Sequence, residues 1–276
     1  MKLISNLLLS ITSTVTLGSI VAPASAAYAC DPRQEILSRG PASTQWIVVV
    51  DQSVDRTFAN QAFLRGSRGL GPHLYDVVAK AGLRKNQVGA VVAFGEVGQE
   101  QIVAFYLPVP TDKVTEASKG YSRIDAYCRG TIFVASPNKE RVGRFAQSGG
   151  SSRPWSHALS DSEVVGAFWS THESAAAMRF QDNIVNAAGD SVSAQRVREW
   201  LALPKLREVS GMLYVKGDRF NAEVSGRYDG PAPRYAGALI RTMGLRAGVI
   251  RKDNILKIQL EDLTSDQIIS AVQRFP

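Results

Sequence analysis

The feature that most restricts this chain is an order of short apolar runs that occurs twice. Trp46 to Val50 is a continuous apolar run ending at Asp51, which predicts a buried strand. Pro72 opens a segment with Leu74, Val77, Val78 and Ala81 on one helical face, and Gly82 closes it. Val88 to Phe94 and Ile102 to Leu107 flank a turn region from Gly95 to Gly98, a hairpin signal. Thr111 and Asp112 can cap a short helix carrying Val114 and Ala117. Thr131 to Ala135 then predicts a strand, and Ser136-Pro137 starts a helix through Val142 and Phe145.

The second half runs through the same order. Val164 to Trp169 predicts a strand, and Ser193 caps a helix with Val197, Trp200 and Leu201 inward, which Pro204 ends. Met212 to Val215 and Phe220 to Ser225 alternate around Gly217-Asp218, a two-residue hairpin turn. Tyr235, Ala236, Leu239, Ile240 and Met243 form a helical stripe closed by Gly244. Ile255 to Leu260 predicts a strand, and Thr264-x-x-Gln267 is a capping box before Ile268, Ile269, Val272 and Phe275. Landmarks recur roughly 120 residues apart, well beyond the period of a solenoid repeat, so the pattern is that of a duplicated domain.

A β-α-β-β-α-β unit has the order of a split βαβ, ferredoxin-like sandwich. The expected fold class is therefore α+β: two tandem ferredoxin-like sandwiches, each an antiparallel sheet covered by helices. The expected division is a first repeat over 30–147, a linker over 148–157 and a second repeat over 158–276. The linker is the Gly/Ser-rich tract Ser148 to Ser152, running into Arg153-Pro154-Trp155.

The first residues carry a different message. Met1-Lys2 is a short positive start, Leu3 to Val21 is apolar without an acidic residue, and Ala24-Ser25-Ala26 is a small-x-small cleavage site. This is a secretory signal, so the chain is expected to be periplasmic or extracellular. Ser, Thr, Asn and Pro leave the apolar block too weak for a spanning helix, and no later stretch comes close to spanning. Cutting after Ala26 or after Ala29 both satisfy the small-residue rule. The second would leave Cys30 at the mature N-terminus, as in a lipoprotein, although Tyr28 and Ala27 do not suit a lipoprotein signal.

Cys30 and Cys128 are the two cysteines, and an oxidising compartment makes a disulfide between them the natural pairing. The chain carries a net charge of +7, and losing Lys2 with the leader leaves +6. An excess of positive charge serves solubility first, and it also suits an anionic envelope component, or another protein, as partner. Basic residues are scattered and not interleaved with aromatics in a block, which disfavours nucleic acid.

The chain resembles exported bacterial proteins built from an N-terminal signal and two loosely repeated α+β halves. The likeness rests on Val48-Val49-Val50-Asp51 and on the hairpins Val88 to Leu107 and Met212 to Ser225. It implies export and a two-halved fold, and no activity.

Asp51-Gln52-Ser53-Val54-Asp55, at a strand end, is faintly similar to the cation site of von Willebrand factor A domains, where Asp-x-Ser-x-Ser offers oxygen ligands to Mg²⁺. That resemblance implies a divalent-cation-dependent adhesion domain holding metal through Asp51, Ser53 and Asp55. Asp55 departs from the family's second serine, and an Asx-type turn explains the same residues.

Hydrolase chemistry finds less support. Gly66-Ser67-Arg68-Gly69 is not Gly-x-Ser-x-Gly, and His73, His157 and His172 lack the spacing that puts two ligands on one helix face. His157 with Asp161 and His172 with Glu173 are the acid/base candidates for an exported hydrolase. No phosphate-binding glycine loop occurs, and the sequence calls for no cofactor. Trp46, Trp169 and Trp200 read as core residues. The reading is a non-enzymatic binding or envelope-associated protein, with Arg153, Trp155 and His157 as the candidate ligand contacts in a groove between the halves.

Overall fold

A computed structural model describes residues 31–51, 89–96, 99, 101–108, 122–126, 130–136, 138–148, 153, 155, 164–171, 196, 199, 202, 205–216, 219–234 and 247–264. They form an α+β fold dominated by antiparallel sheet. The chain divides into two units between Ser160 and Asp161.

In the first unit the apolar runs become strands β1 (Trp46–Asp51), β2 (Ala90–Gly95), β3 (Ile102–Leu107), β4 (Ser122–Ala126) and β5 (Gly130–Ala135). Their order in the sheet is β1-β2-β3-β5-β4, every pairing antiparallel. Register places Ile47, Phe94 and Ile102 on one face, with Val49, Val92, Ala104 and Val134 behind them. Val103, Phe105, Leu107 and Phe133 are on the other, where Phe105 and Phe133 stack with centroids 5.1 Å apart. Every residue of β3 is buried, as an unbroken apolar run requires.

Two helices are described in this unit, α1 (Pro32–Arg39) and α2 (Lys139–Gln147). Asp31 caps α1, its carboxylate accepting from the Arg33 N–H at 2.9 Å, and Pro32 occupies the first turn, where its missing N–H costs nothing. Asn138 caps α2, its side-chain oxygen accepting from the N–H groups of Glu140 and Arg141 at 3.0 and 3.2 Å. Helix α1 packs on β2, β3 and α2, burying Ile36 and Leu37. Phe145 of α2 meets Phe94 with centroids 5.7 Å apart. Between them the chain leaves α1 through Gly40, where an added Cβ would lie 2.5 Å from the Phe94 ring and 2.9 Å from Trp155.

Charge is also buried here. The Arg39 guanidinium meets Glu35 at 3.2 Å and donates to the carbonyls of Ala146 at 3.0 Å and Ser148 at 3.5 Å. It thus satisfies the carbonyl end of α2, where the helix dipole favours a cation.

The second unit contains β6 (Val164–Thr171), β7 (Leu206–Lys216), β8 (Arg219–Tyr228), β9 (Ala247–Lys252) and β10 (Ile255–Leu263), in the order β6-β7-β8-β10-β9 and again antiparallel throughout. Burial alternates along β8, with Phe220, Ala222, Val224 and Tyr228 inside. β9 and β10 join across Asp253-Asn254, with Asp253 at φ +51, a left-handed position that Asp tolerates in a tight turn.

The ferredoxin-like order is where expectation and structure part. In a split βαβ, the two strands joined by the helix run parallel and flank a third strand. Here β1 and β2 are direct antiparallel neighbours, and β6 and β7 likewise. Further differences are α1, β4 and β9, none of which the apolar pattern announced. The helix expected to start at Ser136-Pro137 begins at Lys139, and Ser136 instead accepts a hydrogen bond from the Asn138 N–H at 3.3 Å. Of the helix expected from Ser193, Arg196 and Glu199 are described and helical. The helices expected near 72–81, 111–117, 235–243 and beyond Thr264 lie outside the described residues.

Candidate functional site

The sheet of the second unit has one apolar face and one polar face because its strands alternate. Val209 and Leu213 of β7, Ala222 and Val224 of β8, and Leu256, Ile258 and Leu260 of β10 point one way and are buried. Met212, Glu223 and Gln259 form a row on the opposite face, and Tyr214 lies opposite Asn221 in the next row. All five are half-buried.

This polar face opens into a hollow of about 340 Å³, lined by Tyr214, Lys216, Asn221, Glu223, Gln259 and Glu261 among others. A backbone irregularity shapes its rim. β10 and β8 are in step at Leu260 and Ala222, but Leu263 faces Phe220, so β10 carries one residue more than its partner. Asp262 takes the strain at φ +61, and its N–H is caught by the Asn221 side-chain oxygen at 3.2 Å.

The floor is cross-linked between strands. Glu223 accepts from Lys257 at 2.6 Å through one carboxylate oxygen and from the Gln259 amide at 3.3 Å through the other. Tyr214 donates to the Met212 sulfur at 3.4 Å. Glu223, Lys257 and Gln259, on two strands, are thus held in one arrangement, which lowers the entropy lost when a ligand is gripped. Lys216 and Lys257 balance Glu223 and Glu261, so the hollow and its immediate support carry no net charge.

At the far end of the same sheet, Tyr228 is buried, and burial pushes its phenol well above the ordinary tyrosine range. Asp229 beside it is exposed. Its hydrogen bond and attraction to Arg207 hold its carboxyl below the usual value.

The residues singled out from the sequence lie elsewhere. Trp155 is fully buried in the first unit and donates its indole N–H to the Leu37 carbonyl at 3.2 Å. This is a core position, so the exposure expected of a ligand contact is absent. Arg153 is half-buried. Asp51 ends β1 opposite Ala90, while Ser53 and Asp55 lie outside the described residues. So do Cys30 and Cys128, and His73, His157 and His172 with Asp161 and Glu173. Among the described residues no cluster of His, Cys, Asp and Glu could hold a metal ion, and no helix is long and apolar enough to cross a membrane. Tyr214, Asn221, Glu223 and Gln259 escaped sequence reading. Their one signal is alternation, which marks them as outward-facing without revealing that they meet.

No protein-family model matches the chain, and no curated protein matches it. Among solved structures the chain is similar to TP0453 in crystal form III, with a TM-score of 0.48 and 9% identity over 87% of this chain and 97% of that one. It is also similar to crystal form I of TP0453, with a TM-score of 0.45 and 8% identity over 88% of this chain and 98% of that one.

Proposed function

We propose that this chain is an exported protein that acts by binding a component of the cell envelope, not by catalysis, and that the open face of its second sheet is the contact surface. One observation carries the reading: the hollow on that face is lined by polar groups already tied to one another. Glu223 has both carboxylate oxygens engaged, by Lys257 and by Gln259. A carboxylate that already holds a donor on each oxygen is fixed in place and cross-links its neighbours. It is well suited to orienting neighbours that touch a ligand.

The leader from Met1 to Ala26 or Ala29 supports the compartment, and the positive balance supports an anionic envelope surface as the long-range attractant. The test is fractionation of cells expressing the full chain beside a chain lacking residues 1–26, with intact mass of the product. The expected result is a processed chain outside the cytoplasm that sediments with envelope material, and an unprocessed, cytoplasmic truncated chain. An intact leader on a cytoplasmic full-length protein overturns the reading. The same mass separates cleavage after Ala26 from a lipid-modified Cys30.

A further inference from the structure

We infer that the hollow between β7, β8 and β10 takes a neutral polyhydroxyl ligand, one or a few sugar rings of an envelope polysaccharide. This rests on the second sheet being a binding surface and names what it binds.

The polarity of two side-chain amides makes the argument. The Asn221 oxygen is committed to the Asp262 N–H, so the amide is oriented and its NH₂, which has no partner among the described residues, is a donor. Gln259 is fixed in the opposite sense. Its NH₂ is committed to Glu223, which leaves the oxygen as an acceptor. Both residues line the same hollow, and the Gln259 oxygen lies on its β9 side, beside Gly248. A ligand carrying several hydroxyls, each able to donate and to accept, can satisfy both amides as it crosses the open face.

Charge narrows the ligand further. An anionic ligand calls for surplus cation, yet Lys257 is held by Glu223, and Glu261 in the same lining offsets the charge of Lys216. A cationic ligand calls for surplus carboxylate, which the same balance denies. An apolar ligand would take water from the Asn221 NH₂ and the Gln259 oxygen without replacing it, at a cost of about 1–3 kcal/mol for each group left unpaired. Tyr214 supplies what a sugar ring also needs, an aromatic surface for its C–H face beside groups that bond its hydroxyls. The volume of about 340 Å³ is at the lower end for small-ligand sites, which fits a short stretch of a polymer crossing an open face.

The experiment is a calorimetric titration of the chain without residues 1–26 against maltotriose, cellotriose and tri-N-acetylchitotriose, with hexametaphosphate and spermidine as charged probes. Saturable binding of at least one trisaccharide and none of the charged probes is expected. Asn221→Asp keeps the oxygen that holds Asp262 but replaces the donor by an acceptor, and it should weaken that binding by about tenfold or more. Tyr214→Ala should weaken it similarly, each variant being compared at an unchanged thermal melt. If Tyr214→Ala does not fold, Asn221→Asp alone decides. Binding of no trisaccharide, binding of a charged probe in its place, or trisaccharide binding that Asn221→Asp leaves intact overturns the inference. Failure of export in the fractionation above would overturn the envelope reading while leaving this titration to stand by itself.

Discussion

The two units of this chain hold the same number of described strands, all antiparallel, yet they treat the faces of those strands differently. In the first, both faces are buried: Phe94 and Ile102 lie under α1 and α2, and Phe105 and Phe133 are buried on the other side. In the second, β8 alternates buried and half-exposed positions along nearly its whole length. An unbroken apolar strand spends every position on packing and leaves none to meet a ligand. An alternating strand gives half its positions to the core and the rest to chemistry, which is why the candidate site belongs to the second sheet.

The contrast can be broken by comparing deletions on the two sheets. Phe145→Ala removes a ring packed on Phe94 in the doubly buried layer, and it should destabilise the first unit by about 3–5 kcal/mol. Met212→Ala on the open face should cost well under half of that. Urea unfolding of both variants measures the difference, and equal costs would show that the second sheet is covered as fully as the first. Arg39→Ala comes next. It takes the guanidinium away from the buried Glu35 carboxylate and uncaps the carbonyl end of α2, with an expected loss of about 3 kcal/mol. Because Arg39 acts on two carbonyls through its guanidinium, Arg39→Lys should recover only part of that loss.

The same contrast explains what could be read in advance. β1, β2, β3 and β5 were legible because continuous runs such as Ile102 to Leu107 have no other good use in a globular chain. β4 (Ser122-Arg-Ile-Asp-Ala) and β9 (Ala-Gly-Val-Ile-Arg-Lys) were not, because both lie at an end of the strand order, where strands are short and carry charge. Helix α1 offers an Asp-Pro start and a closing glycine, but it buries adjacent Ile36 and Leu37, too few apolar residues to show a 3.6 period. Trp155 looked exposed because glycine and serine precede it. Its burial depends on the missing side chain of Gly40 and on a carbonyl 118 residues away. The hollow was invisible for the same reason: Glu223 and Gln259 become neighbours only once the β8–β10 register is known.

A smaller and pH-dependent effect separates the inner face of the second sheet from the outer. Tyr228 is buried, so its folded-state value is raised above the ordinary one. The neutral phenol is favoured by the fold, and that preference is fully present below about pH 10, where the unfolded phenol is also neutral. As pH climbs past the unfolded value, the unfolded chain releases a proton that the folded chain keeps. Stability then falls, by at most about 1.4 kcal/mol per pH unit, until the folded phenol ionises too. Tyr228→Phe should flatten this alkaline limb, measured by urea midpoints between neutral pH and the onset of base unfolding. An unchanged slope would mean that the phenol reaches solvent.

The smallest effect is predicted on the open face itself, and it sharpens what that face is for. Glu223→Gln removes the charge that Lys257 meets while keeping nearly the same shape. The Lys257 side chain is 36% exposed, so water replaces much of the lost attraction, and the fold should lose no more than about 1 kcal/mol. The orientation of Gln259 is affected more, because its NH₂ loses a charged acceptor and the amide is freer to turn. Urea unfolding and trisaccharide titration on this one variant should therefore diverge, with stability almost unchanged and affinity reduced. Matching losses in both would make the cross-strand network a stabilising device of the sheet, no different in kind from the buried pair of Arg39 and Glu35 in the first unit.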